Sequence, residues 1–309
     1  MTERHVIVGA GPVGQAAAAV LVGRGAEVLL VSRSGAGPEI AGARRVAADA
    51  ADADALSAHV DGAVAFYNCV NPPSYDIWPT YWPPIAEALA TTAERTGAVL
   101  AVTGNLYPYG PVEVPMTESL PDAATGTKGA LRARMWADLL ERHEAGSLRA
   151  VEVRGSDYLG PGVTGAHLPV AAKRALAGKS TRVFGDPDAP HSMTDVRDMA
   201  QALVTVATEP TAWGRVWHAP TNPAKSQTET LADVCAAVGR APVKVRSWPG
   251  VMLGLGGIVV PFLREMRETA YQFQAPYVLD SAAITAAYGL VPTPWDEVCR
   301  ATAETVRAA

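Results

Sequence analysis

Gly9, Gly11 and Gly14 stand in the spacing G-x-G-x-x-G, and chemistry can be read from them first. A glycine turn of this kind sets backbone N–H groups against a phosphate. Gly9 permits the tight turn, Gly11 lets a pyrophosphate approach the main chain, and Gly14 lets the next helix pack on the preceding strand. The helix N-terminus adds free N–H groups and the positive end of its dipole. The context fits. Val6-Ile7-Val8 is a β-branched run of the kind that forms a buried parallel strand, and Ala16 to Val22 is apolar and alanine-rich, as a helix. The spacing predicts a dinucleotide cradle made by Gly9, Gly11, Pro12, Val13 and Gly14.

Further residues extend that cradle. A second strand, Glu27 to Val31, runs into Ser32-Arg33-Ser34. An NAD-selective site places a carboxylate near here, on the ribose 2′-OH. A hydroxyl at Ser32 and a guanidinium at Arg33 suit a 2′-phosphate instead, which predicts NADP. The alternative leaves Arg33 as a solvated loop residue. Asp49 can accept from the adenine amino group, and Asp52 can cap the next helix. Asn68 and Val70 leave the fourth strand at the edge where the cofactor should lie. Tyr75, Trp78, Tyr81 and Trp82 follow; they either line an apolar pocket or pack the next helix start onto its neighbours.

These residues need a frame, and the first half of the chain alternates strand with helix. Arg45 to Ala47 is read as the third strand, Val64 to Tyr67 as the fourth, Ala98 to Val102 as the fifth and Leu148 to Val153 as the sixth. Helices fall at Asp54 to His59, Trp82 to Thr96 and Lys128 to Glu144. The rhythm predicts an α/β fold, a doubly wound parallel sheet of Rossmann type with a smaller C-terminal substrate-binding part. Residues 1–155 are expected to form the dinucleotide-binding domain. Residues 156–309 are expected to be mostly substrate-binding, with elements at about 181–219 returning to the sheet.

Composition bounds the rest. The chain has 309 residues, 49% hydrophobic and 18% charged, with net charge −5. That suits a globular protein with a sizeable core. No basic run appears, so nucleic acid is not expected as a partner. Cys69, Cys235 and Cys299 are too scattered for a disulfide framework or a zinc pattern, so no metal is expected and a reducing cytoplasm fits. The near-immediate first strand leaves no room for a signal peptide. Val251 to Phe262 is too short and glycine-rich to span a membrane; it reads as a buried helix or a wall of the substrate pocket.

Four later stretches carry a resemblance. The fifth strand leads into Asn105-Leu106-Tyr107-Pro108-Tyr109-Gly110, Thr127-Lys128 opens a helix, and Arg154 to Pro161 follows the sixth strand. Here the chain resembles the extended short-chain dehydrogenase/reductase superfamily, the NAD-dependent epimerase/dehydratase group. Tyr109-Gly110 looks like its "VYG", Arg154 to Pro161 is similar to its "RPxxxYGPG", and Thr194 to Ala200 resembles its "yVdDvA". The resemblance implies a Rossmann fold, a nicotinamide cofactor and a role for Lys128 on the nicotinamide ribose and the proton-transfer group. The departures are specific. The family's catalytic Ser or Thr is Asn105 here, the tyrosine of its Tyr-x-x-x-Lys is Ala124, and its first glycine falls at Val8.

In an extended exit from the fifth strand, Asn105 and Tyr107 face one side. Tyr107 can then fill the space left by Ala124, with Lys128 lowering its pKa, while Asn105 bonds a substrate carbonyl; the alternative leaves Tyr107 as a packed loop aromatic. Tyr109, Tyr158 and His191 are weaker candidates, and His191, in a turn-rich loop, reads as a surface residue. The expected function is an NADP(H)-dependent oxidoreductase of the atypical extended short-chain type acting on a small carbonyl, imine or alkene, with the apolar stretch at 251–262 and the aromatics at 75–82 pointing to an apolar one. The alternatives are a nucleotide-sugar epimerase or dehydratase, and a non-catalytic NADP-binding regulator. A homodimer is possible.

Overall fold

The computed structural model describes residues 2–248 and 268–309. The apolar stretch from Val251 to Phe262 lies outside them. Strand β1 (Arg4–Val8) leads to helix α1 (Pro12–Gly23) and strands β2 (Glu27–Ser32) and β3 (Ala43–Ala47). Then come α2 (Ala53–Val60), β4 (Ala65–Asn68), α3 (Trp78–Thr96), β5 (Val99–Asn105), α4 (Thr127–Glu144) and β6 (Ala150–Gly155). The second half opens with β7 (Asp157–Leu159), α5 (His167–Leu176), β8 (Thr181–Val183), β9 (Pro190–His191), β10 (Met193–Asp195) and α6 (Val196–Thr208). It continues with β11 (Val216–His218), β12 (Lys225–Ser226), α7 (Gln227–Ala236), β13 (Val245–Ser247), α8 (Ala282–Tyr288) and α9 (Trp295–Ala308).

Seven strands form one sheet in the order β11-β6-β5-β4-β1-β2-β3, and every neighbouring pair is parallel. This is a doubly wound Rossmann-type sheet. The chain winds outward from β1 through β2 and β3, then crosses back to β4. That reversal leaves a crevice at the carboxyl ends of β1 and β4, the place where ligands bind in such sheets. Strand periodicity divides the core. Ile7, Leu30, Tyr67 and Val153 face α1 and α6, while Val6, Leu29, Phe66 and Leu100 face α2, α3 and α4. A further cluster joins Leu168, Val183, Leu231 and Val298 from α5, β8, α7 and α9.

Within the stretch at about 181–219, α6 and β11 lie on the central sheet, whereas β8 pairs with β13 apart from it. Helix α3 begins at Trp78, four residues before the expected Trp82. Pro83 and Pro84 lie inside its early turns. They read as a helix start because proline lacks the N–H of an interior position. The helix is held through this stretch by the core packing of Trp78 and Trp82. Gly97, in the left-handed region at φ 69°, ends it.

Candidate functional site

The glycine turn connects β1 to α1 at the crevice. Gly9 has φ 112°, a conformation that side chains rarely adopt, and a β-carbon there would overlap the Cys69 main chain at the exit of β4. A β-carbon on Gly14 would overlap the Gly9 carbonyl oxygen. Gly11 is different: nothing lies within 4 Å of where its β-carbon would stand. Two glycines are therefore required by close packing and the third borders open space. Gly11 is also the N-cap of α1, with no side chain bonded to the first N–H groups and Pro12 at the helix start. Val13 and Gly14 are buried, and Gly162 approaches Pro12. An exposed, side-chain-free turn beneath uncapped helical N–H groups fits a pyrophosphate.

Of the other expected cofactor residues, Ser32, Arg33, Asp49, Asn68 and Val70 stand at or just past the ends of β2, β3 and β4. The Gly9 amide donates to the Val31 carbonyl at 2.9 Å, tying the turn to the end of β2. There the Ser32 hydroxyl donates to the Ala36 carbonyl at 3.4 Å, and Arg33 is exposed. Asp49 is exposed, its Oδ1 accepting from the Ala51 amide at 3.0 Å. Asp52 caps α2, accepting from the Asp54 and Ala55 amides at 3.0 Å each. Asn68 is buried at the end of β4 and its Oδ1 accepts from the Val70 amide at 3.2 Å.

The proton-transfer region departs from expectation. The chain does not leave β5 extended: Tyr107–Tyr109 form a single 3₁₀ turn. Asn105 Oδ1 accepts from the Tyr107 amide at 3.2 Å where that turn begins, and the alternation that would put both side chains on one face is broken. Tyr107 is buried, and its hydroxyl lies 2.7 Å from that of Tyr75. Burial, with the nearby Tyr75 and Asp157, pushes its pKa well above the usual phenol value, the reverse of the expected lowering by Lys128. Burial pushes Tyr75 up to about 12. The Lys128 ammonium lies 5.4 Å from the centre of the Tyr75 ring and 3.0 Å from Glu268 Oε2. Ala124 is packed beside Gly129, where a β-carbon would overlap it. The aromatics at 75–82 pack inward: Trp78 and Trp82 are buried, and the Arg132 guanidinium lies 4.8 Å over Trp82.

His191 is not at the surface. It is 2% exposed, with Nε2 3.0 Å from Asp157 Oδ2 and Nδ1 3.0 Å from the Gln272 carbonyl. Its ring stacks on Phe273 at 5.1 Å. Burial would raise the Asp157 carboxyl, but the contact with His191 and the charges of His191 and His167 hold it below the usual range. Asp157 starts β7, just past the carboxyl end of β6, and its charge is felt by Tyr75, Tyr107 and Tyr277. This pair escapes sequence reading because its members are far apart in the chain and a proline-rich turn precedes the histidine. Tyr109 and Arg154 are held by neighbouring side chains. The Tyr109 hydroxyl bonds His218 Nε2 at 2.7 Å, and Arg154 makes a fork to Asp122 at 2.6 and 2.9 Å beneath the Tyr109 ring. Tyr158 is half-buried, and burial raises its phenol.

Fold and turn together define a Rossmann-type α/β protein with a glycine loop shaped for a dinucleotide. The model of the NAD-dependent epimerase/dehydratase family matches residues 5–218, and the chain belongs to that family. A search of curated proteins returns no match. Among solved structures, UDP-glucose 4-epimerase from Brucella ovis in complex with NAD is 17% identical, with TM-score 0.78 over 99% of this chain and 98% of that one. The Bordetella bronchiseptica enzyme WbmH in complex with NAD+ is 18% identical, TM-score 0.76, over 100% and 99%. The dTDP-glucose 4,6-dehydratase from Bacillus anthracis, in complex with NAD, is 13% identical, TM-score 0.76, over 99% and 97%. Identities this low speak for a shared fold. Among the described residues, no helix is long and apolar enough to cross a membrane, and no group of three or more His, Cys, Asp or Glu side chains is placed to hold a metal ion.

Proposed function

We propose that the protein is an NADP(H)-dependent oxidoreductase that works on an alcohol carbon or on the corresponding carbonyl, imine or activated alkene. The observation that carries this reading is the open Gly11 turn at the uncapped start of α1, where a pyrophosphate can reach the main chain. The dinucleotide, when bound, would supply or accept a hydride. Gly9, Gly11, Pro12, Val13 and Gly14 would hold its pyrophosphate. Ser32 and Arg33 would hold the 2′-phosphate, Asp49 the adenine, and Asn68, Val70 and Lys128 the nicotinamide half. Asn105 Oδ1 is engaged by the turn, which leaves its amide N–H groups to donate to a substrate oxygen. Tyr107 stays protonated at neutral pH and would act as a hydrogen-bond or proton donor.

A second reading, a nucleotide-sugar epimerase or dehydratase, is favoured by the neighbours: the Brucella ovis, Thermus thermophilus and Bacillus anthracis structures are enzymes of that kind bound to NAD. Against it stand Asn105 and Ala124 at the places where the resemblance calls for a hydroxyl and a phenol. A homodimer and a cytoplasmic setting accompany the proposal; three buried, unpaired cysteines support a reducing compartment.

NADPH oxidation against a panel of carbonyls and imines, run beside NAD+-dependent conversion of UDP-glucose, separates the readings. Turnover of the panel supports the reductase. Conversion of UDP-glucose alone replaces it with the epimerase. Tight cofactor binding with neither activity favours a regulator.

A further inference from the structure

Arg45 lies on β3 opposite Leu30 of β2. All three of its guanidinium nitrogens are shut off from solvent, and none has a hydrogen-bond partner. Among the described residues no carboxylate forms an ion pair with it, although Glu39 and Asp49 stand exposed on the flanking chain. The loop between β2 and β3 closes over the guanidinium: a β-carbon on Gly37 would stand 2.5 Å from Nη1 and 2.9 Å from Nη2. Ile40 anchors the end of that loop on the core, and short local bonds hold its start. Ser32 Oγ donates to the Ala36 carbonyl at 3.4 Å, and the Ala36 amide donates to Ser34 Oγ at 3.2 Å. Its root is the carboxyl end of β2, where Val31 accepts from Gly9 of the glycine turn at 2.9 Å.

An arginine does not shed its proton, so a sealed guanidinium without a counter-charge is strongly disfavoured. The cation therefore marks a place for an anion. Its five donors form a planar fork that matches a phosphate better than a single point charge does. We infer that Arg45, rather than exposed Arg33 alone, is the deep half of a phosphomonoester site that takes the 2′-phosphate of NADP(H) when the loop at 33–42 opens. The inference rests on the NADP(H) reading above and adds to it the residue that selects the cofactor.

Titration calorimetry tests it with NADP+, NAD+, 2′-AMP, 5′-AMP and inorganic phosphate on the parent, Arg45→Met, Arg45→Lys and Arg33→Ala. The parent should bind NADP+ over NAD+, and 2′-AMP over 5′-AMP, by at least about tenfold. Arg45→Met should erase that preference and leave NAD+ affinity alone, and Arg45→Lys should restore part of it. The ligand-free melting temperature of Arg45→Met should not fall, since the substitution removes an unpaired buried charge. Full NADP+ preference in a folded Arg45→Met overturns the inference and leaves Arg33 as the selector. A lowered melting temperature with NADP+ affinity intact makes Arg45 structural and also overturns it. Inorganic phosphate binding as tightly as 2′-AMP would reduce the site to a general anion pocket and reject the nucleotide. If the parent prefers NAD+, the NADP(H) reading itself fails first.

Discussion

Lys128 and Glu268 are joined twice: Nζ lies 3.0 Å from Oε2, and the Lys128 amide donates to Oε1 at 2.6 Å. One carboxylate from far along the chain thus neutralises a buried ammonium and caps the N-terminus of α4, which has no side-chain cap of its own. Glu268→Gln should keep part of the cap and lose the charge pairing. Removing one member of a pair this buried costs roughly 2–4 kcal/mol, less than the fully buried limit because Glu268 is partly exposed. Denaturant unfolding reads that loss directly, and a change below about 0.5 kcal/mol would show the pair to be energetically idle. Lys128→Met should lower both stability and NADPH affinity.

Tyr107 is the phenol that stands in the loop bordering the expected nicotinamide site, and Tyr75 holds its hydroxyl. Tyr107→Phe should lower turnover by about 10²–10⁴-fold, the range for a positioned proton donor, with NADPH affinity nearly unchanged. Because burial keeps the phenol protonated, the parent's pH–rate profile should show no ionisation of Tyr107 across neutral pH. Undiminished turnover in Tyr107→Phe would hand the role to another group, with the Asp157–His191 pair the next to test.

Stability should carry a signature of Asp198. Its carboxylate accepts from the Thr293 amide at 2.9 Å and from the Thr293 hydroxyl at 2.7 Å, and burial, the larger effect, pushes its pKa up to about 6. The folded pKa exceeds the unfolded one, about 3.9, so the folded state holds the proton more tightly. The stabilising contribution is full below about pH 4 and lost as pH rises through about 6. Roughly 1–3 kcal/mol should be lost over that window. His5, His167 and His218, lowered by burial, act oppositely, gaining stability as pH rises toward about 6.5. Urea unfolding of the parent and of Asp198→Asn, compared across this range, isolates the carboxylate. Parallel profiles for the two would contradict the assignment.

What the sequence made legible was local. The glycine spacing, the β-branched runs and the helix periodicities sufficed for the sheet and for the glycine turn that opens α1, because each is written within a few neighbouring residues. Asp52 as a cap was legible for the same reason. The turn at Tyr107 was not: only the Asn105 side chain closing on the Tyr107 amide reveals that the strand stops there. The partnership of Asp157 with His191 and that of Lys128 with Glu268 depend on which loops the fold brings together. Arg45 looked like an ordinary strand residue until the loop closed over it.

The glycines give the sharpest test, because two of them are demanded by packing and the third borders open space. Gly14→Ala should destabilise the fold by about 1–3 kcal/mol, since its β-carbon would overlap the Gly9 carbonyl. Gly11→Val should fold normally, since its side chain enters open space. That variant isolates the cofactor site from the fold, and titration calorimetry of NADPH into it, beside the parent, is the decisive measurement. The account predicts measurable binding to the parent and at least about a hundredfold weaker binding to Gly11→Val, because the new side chain blocks the pyrophosphate's approach. Equal NADPH affinity in a folded Gly11→Val would contradict it.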